Sequence, residues 1–182
     1  MPAFKKIIGQ YKYLCSYCDA FWKRAKSRYS TEITCSPGCS ACCVLQSVNF
    51  LEAYLIADHH APGGSLPPSS SEGTCPFLEE KRCRIYPARP LICRTHGLLL
   101  KSREFRGRLT PSCPQNFTGT EPSAADDAYS LDIDRITDNL ARLNAAFCIL
   151  LGDLKKTKER IAVGDLADKS IDREWFGLKT VT

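Results

Sequence analysis

The chain has 182 residues, a formal net charge of +5, three histidines and 11 cysteines. A chain of this length buries roughly 70% of the surface it exposes when unfolded, so one domain over 1–182 is expected without covalent staples. The odd cysteine count fits a closed disulfide set badly. The opening MPAFKKIIGQYK holds no signal-length apolar run, and no stretch nears the ~20 apolar residues of a membrane span. A reducing cytoplasm without a membrane partner is therefore expected, where cysteines persist as thiols, nucleophiles or metal ligands.

Residues 11–29, YKYLCSYCDAFWKRAKSRY, set Tyr11, Leu14, Cys15, Cys18, Phe21, Trp22, Ala25 and Tyr29 on one stripe, which predicts an amphipathic helix. Cys15 and Cys18 form a C-x-x-C but lie on that apolar stripe, where free cysteine behaves as a small hydrophobe; core packing is favoured over ligation. Then comes CSPGCSACC, which crowds Cys35, Cys39, Cys42 and Cys43 into one loop. From there CCVLQSVNFLEAYLIADHH predicts a helix over 43–60, with Val44, Val48, Leu51 and Leu55 inward and Pro62, Gly63 and Gly64 ending it. Its free N–H groups would favour thiolate at Cys42 and Cys43, and His59 and His60 at its end are expected in solvent.

APGGSLPPSSSEGT, 61–74, reads as a connector. Beyond it, CPFL and CRIY can pair as a small hairpin around Glu79, Glu80 and Lys81, although no glycine marks the turn. Cys75, Cys83, Cys93 and Cys113 are spread through short apolar pieces cut by prolines. His96, in CRTH after Cys93, has ligand spacing, but a supporting or surface role is favoured. Between 81 and 108 the bases Lys81, Arg82, Arg84, Arg89, Arg94, Lys101, Arg103, Arg106 and Arg108 face only Glu104. Arg89 and Arg94, beside Cys93, are expected to offset thiolate charge or hydrogen-bond sulfur. Nucleic acid is the lesser reading of this run, because few aromatics accompany it.

Ser123 with Asp126 suggests a capping box opening a helix over 123–151, with Ile133, Ile136, Leu140, Leu143, Phe147 and Leu150 on one face and an end near Gly152. Asp126, Asp127, Asp132 and Asp134 crowd its start and read as caps rather than catalytic carboxylates, and Cys148 reads as core. The charged extension 153–182 carries at most a weak helix near 153–162.

Thiols this close together on a loop suit a single metal centre. Standard zinc knuckles use two C-x2–4-C pairs, and Cys75-x7-Cys83 and Cys83-x9-Cys93 are wider than that. The spacing therefore favours an iron–sulfur cluster, with zinc the alternative. Charge is uninformative here: eight thiolates on two zinc ions would bring the count to about +1, so the basic surplus can be the site's own counter-charge.

CSPGCSACC, CPFL with CRIYPARPLICRTHG, and CPQNF together resemble the YkgJ-like cysteine cluster family, described as a zinc- or iron-chelating domain. The resemblance covers about 33–117. It implies that Cys35, Cys39, Cys42, Cys43, Cys75, Cys83, Cys93 and Cys113 are the metal ligands. Related domains occur in flagellin lysine N-methylases, but no catalytic residue is implied. The expectation is a mainly α metalloprotein in which helices 11–29 and 123–151 flank an irregular cysteine-rich centre with at most a small β-hairpin. Its roles would be redox, cluster-dependent modification or, with zinc, a structural platform for a protein partner.

Overall fold

The structure, a computed structural model, describes residues 2–61, 66, 73–106, 109–119 and 125–177. It is mainly helical, as the sequence suggests, but the described residues form three small sheets where at most one hairpin was expected. Helix α1, Pro2–Arg28, begins nine residues before the expected start and has a proline in its first turn, where the missing N–H costs nothing. Ile7, Tyr11, Leu14, Cys15, Cys18, Phe21 and Ala25 are its buried face, so the predicted stripe holds and Cys15 and Cys18 are core. Lys26 closes the end by donating to the carbonyls of Ser30 and Ile33.

The second helix is shorter than its apolar spacing predicts. Helix α2 runs Phe50–His60, capped by Asn49, whose side chain accepts from the Glu52 N–H at 2.9 Å. The preceding residues are diverted: β1, Ser47–Val48, pairs antiparallel with β7, Ile161–Ala162, in the register Ser47↔Ala162. Val44 is exposed rather than inward. The helix N-terminus is thus seven residues past Cys43 and cannot hold Cys42 and Cys43 as thiolates. His60 is a second correction. It is buried edge-on to Phe77, with ring centroids 5.3 Å apart, and its Nε2 has no hydrogen-bond partner among the described residues. His59 is exposed as expected. The expected helix stop at Pro62, Gly63 and Gly64, and most of the 61–74 connector, lie outside the described residues.

The predicted hairpin is present. β2, Leu78–Glu79, pairs with β3, Arg82–Cys83, and Glu80 (φ 47°) and Lys81 (φ 62°) both adopt the left-handed conformation of a type I′ turn without glycine. Helix α3, Leu91–Thr95, follows and carries Cys93. Next, β4, Leu99–Lys101, is central in a sheet ordered β5–β4–β6, antiparallel to β5, Thr110–Pro111, and parallel to β6, Ser130–Asp132.

Because 130–132 is taken into that sheet, the third long helix, α4, is Ile133–Leu150 rather than 123–151. Asp132 caps it by accepting from the Arg135 N–H at 3.0 Å, and Gly152 (φ 77°) ends it as expected. Asp126 caps a short 3-10 turn, Asp127–Tyr129, while Ser123 lies outside the described residues. The weak helix expected near 153–162 is a 3-10 turn, Leu154–Lys158, and α5, Val163–Ala167, completes the chain's helices as described.

One core joins these elements. Phe50, Tyr54, Phe147 and Phe176 stack at its centre, with Phe50 and Phe176 centroids 5.0 Å apart, and α1, α2 and α4 supply most of the rest. Burying each such ring contributes about 1.5–3 kcal/mol. Cys148 is fully buried there, as expected. At one side of this core Glu52 ties three helices together: it accepts from the Tyr11 hydroxyl (3.0 Å), the Leu91 N–H (2.9 Å) and the Asn49 amide (2.9 Å). Its contact with Leu91 fixes the start of the helix that bears Cys93.

Candidate metal centre

The dense cysteine loop is shaped by two tight turns, in which Cys39 N–H donates to Ser36 O (3.0 Å) and Cys43 N–H to Ser40 O (2.9 Å). Gly38 supplies the left-handed residue (φ 88°) of the first turn. The second ligand segment is joined to this loop by backbone: Cys75 N–H donates to Cys43 O at 2.8 Å. The hairpin then returns Cys83 beside Leu78, whose N–H bonds to Cys75 O at 3.0 Å.

Burial comes first at these thiols, and their neighbours' thiols second. Burial raises Cys43, followed by the neighbouring Cys75 and Cys83. Cys93 is pushed up to about 12 by burial and then by Cys75, Cys83, Cys42 and Cys43. Cys42 is pushed up to about 11 by burial and then by Cys43, Cys35 and Cys39. Four stretches of chain thus carry these thiols: the dense loop with Cys35, Cys39, Cys42 and Cys43, the segment of Cys75, the hairpin with Cys83, and α3 with Cys93.

Cys113 is buried and belongs to a strap that reaches back to the loop. Asn116, nearly fully buried, receives its own N–H bond partner in Cys113 O (3.1 Å) and accepts from Thr34 N–H (3.0 Å). Its amide donates to Gly97 O (2.7 Å) and lies 3.5 Å from Cys35 Sγ. Gln115 Oε1 stands 4.0 Å from Cys39 Sγ. Gly97 (φ 92°) closes the pocket. A Cβ there would meet Cys35 Sγ at 3.0 Å and Asn116 Nδ2 at 3.1 Å.

The donor set fits a thiophilic group. It is all sulfur, half-buried or buried except for the exposed Cys39, free of disulfides, and drawn from thiols that lose their protons on binding metal. Among the described residues no three cysteine, histidine or carboxylate side chains are gathered closely enough to hold a metal ion. The residues that would hold the metal are those named here. At His96 the carbonyl accepts from Trp22 Nε1 at 3.2 Å, and burial lowers the ring's basicity.

Arg89 and Arg94 prove to be structural braces first. Both pair with Asp19 of α1, at 2.8 and 2.5 Å, and Arg94 also donates to the carbonyls of Arg89 and Pro87. Arg89 still lowers the Cys83 thiol through its charge, and its guanidinium stacks 4.0 Å over Tyr86. The basic run disperses in the same way: Arg84 pairs with Glu79, Lys101 with Asp127, and Arg103 with Asp134. Arg108 lies outside the described residues. Sequence reasoning passed over Asn116, Asp19 and Glu52, none of which sits in a recognisable spacing. Gly97 carried a faint signal, as a lone glycine between helix-ending His96 and the apolar run Leu98–Leu100.

No described helix is long and apolar enough to cross a membrane. No curated protein and no solved structure matches the chain. Residues 34–114, the stretch that holds all eight candidate ligands, match the model of the family described as "CxxCxxCC: Putative zinc- or iron-chelating domain".

Proposed function

We propose that this protein binds an iron–sulfur cluster or iron through Cys35, Cys39, Cys42, Cys43, Cys75, Cys83, Cys93 and Cys113, and serves a redox or cluster-dependent modifying role. The reading rests on one observation above the others: the Cys75 segment is tied to the dense loop by the Cys75 N–H bond to Cys43 O (2.8 Å), and the β2–β3 hairpin returns Cys83 opposite Leu78, whose N–H bonds to Cys75 O (3.0 Å). Residues 33–117 form the metal-binding core, and helices α1 and α4 belong to the same domain as its frame. The bound group would supply electron transfer or Lewis acidity, while the chain excludes water and holds the sulfurs.

A structural zinc module, docking a protein partner, is the second reading. It draws support from the two turns at Cys39 and Cys43, which are tight enough for knuckle geometry. Anaerobic purification followed by iron, zinc and acid-labile sulfide per chain, with an absorption spectrum, separates the two. Iron with matching sulfide and visible colour supports the cluster. Colourless protein with zinc replaces it with the structural reading, and protein that takes up neither metal refutes both.

A further inference from the structure

We infer that Asn116 is the positioning residue of the Cys35 sulfur: its side-chain N–H donates to Cys35 Sγ and holds that sulfur as a metal-binding thiolate. The inference rests on the metal-binding reading above and adds a residue outside the cysteine set that acts through one of its members.

The Asn116 carboxamide is fixed on both sides. It is 2% exposed, and its stretch of strap is held by Asn116 N–H to Cys113 O (3.1 Å) and by Phe117 N–H to Glu32 O (2.9 Å). Phe117 is itself buried edge-on to Tyr29, with ring centroids 5.5 Å apart. The amide lies between two backbone groups of opposite kind: Oδ1 accepts from Thr34 N–H at 3.0 Å, and Nδ2 donates to Gly97 O at 2.7 Å. Turning it over would set oxygen against oxygen and N–H against N–H. Its neighbours therefore settle which end is nitrogen.

A count of hydrogen-bonding capacity then leaves one donor over. A carboxamide has two N–H groups and two lone pairs on its oxygen. Thr34 takes both lone pairs, through its N–H and its hydroxyl (3.1 Å), and Gly97 O takes one N–H. The second N–H has Cys35 Sγ, 3.5 Å from Nδ2, as its partner. Gly97 agrees that the three groups meet, since a Cβ there would stand 3.0 Å from that sulfur and 3.1 Å from that nitrogen. Leaving so deeply buried an N–H unpaired is costly, and a thiolate accepts far better than a thiol, so the donor favours the ionised sulfur. Donors of this kind orient metal ligands and, at a cluster, help to set its potential.

Cobalt(II) alone, titrated anaerobically into the full chain, tests this with wild type, Asn116→Asp and Cys35→Ser. Asn116→Asp keeps the oxygen that Thr34 bonds and replaces the N–H donors by a second carboxylate oxygen. It is expected to weaken cobalt binding by about 10–100-fold and to move the thiolate-to-cobalt charge-transfer band to lower energy, because a sulfur without its donor gives up electrons more readily. Unchanged affinity overturns the inference. Weaker binding with an unmoved band also overturns it, by making Asn116 a brace and nothing more. Wild-type affinity and spectrum in Cys35→Ser overturn it as well, since Cys35 would then be no ligand. Wild-type protein that binds no cobalt refutes the metal-binding reading itself, a distinguishable result. Should Asn116→Asp fail to fold, nitrogen-15-labelled wild type loaded with cadmium-113 decides. Scalar coupling between the metal and an Asn116 side-chain amide proton, which can pass only through an N–H···S–Cd bridge, is expected, and bound cadmium without that coupling overturns the inference.

Discussion

Gly97→Ala is the sharpest perturbation the structure offers. The residue sits at φ 92°, where an L side chain is strained, and the new Cβ would stand 3.0 Å from Cys35 Sγ and 3.1 Å from Asn116 Nδ2. Left-handed backbone costs alanine about 1–2 kcal/mol. Overpacking a filled site adds about 1–3 kcal/mol, because neither neighbour can move cheaply: the Asn116 amide is fixed to Gly97 O at 2.7 Å and its carbonyl oxygen to Thr34 N–H at 3.0 Å. The expected destabilisation is therefore about 2–5 kcal/mol, accompanied by loss of the metal held through Cys35. Urea unfolding of the loaded protein, with metal content on the same sample, measures both. Gly164→Ala is the matched control, since a Cβ there meets nothing within 4 Å and no left-handed angle is involved. If Gly97→Ala unfolds within about 0.5 kcal/mol of wild type and keeps its full metal, the argument that Gly97 and Asn116 shape the Cys35 pocket is wrong.

Three further outcomes are expected. Asn116→Ala should cost about 2–4 kcal/mol by orphaning the Thr34 N–H and Gly97 carbonyl, and should weaken metal retention in a chelator challenge more than Cys148→Ala does. Replacing Cys15, Cys18 and Cys148 by alanine one at a time should leave metal stoichiometry unchanged while lowering stability, because all three are core; a lost metal equivalent in any of them would make it a ligand. Burial depresses the basicity of His60, so the unfolded state binds its proton more readily. Its contribution to stability is complete above the ordinary pKa of about 6.5 and lost as pH falls through the folded value. His60→Leu should accordingly flatten the acid side of the stability profile between about pH 7 and 5, read as the difference from wild type in chemical denaturation, and parallel profiles would contradict that.

What the sequence revealed follows how local each signal is. The α1 stripe is a 3.6-residue pattern within one segment, and every residue from Tyr11 to Ala25 predicted inward, apart from the half-buried Trp22, is buried. The hairpin and the caps at Asp126 and Asp132 are equally local. The α2 start was misread because Val44 and Val48 mimic a helical face, whereas Ser47 and Val48 are held by Ile161 and Ala162 far along the chain. A strand of two residues leaves no periodicity to read. His60 is buried by Phe77, a hairpin residue that no local rule sets beside it. The cysteine cluster was legible from spacing alone, but the strap from Asn116 was not: one asparagine with partners at 34, 35 and 97 has no linear signature.

The pairing of β1 with β7 also sets a timetable for biosynthesis. The stretch just behind the dense cysteine loop is held by Ile161 and Ala162, by Arg160, which donates to Ser47 O at 2.7 Å, and by Asn144, which accepts from Leu51 N–H at 2.9 Å. The last candidate ligand, Cys113, is made roughly 50 residues before that support, a gap of about 2–10 s at 5–20 residues per second. During that interval every candidate ligand thiol has been synthesised while α4 and the β7 partner of β1 have not been completed. Nascent chains should therefore hold those thiols most open to oxidation in those seconds.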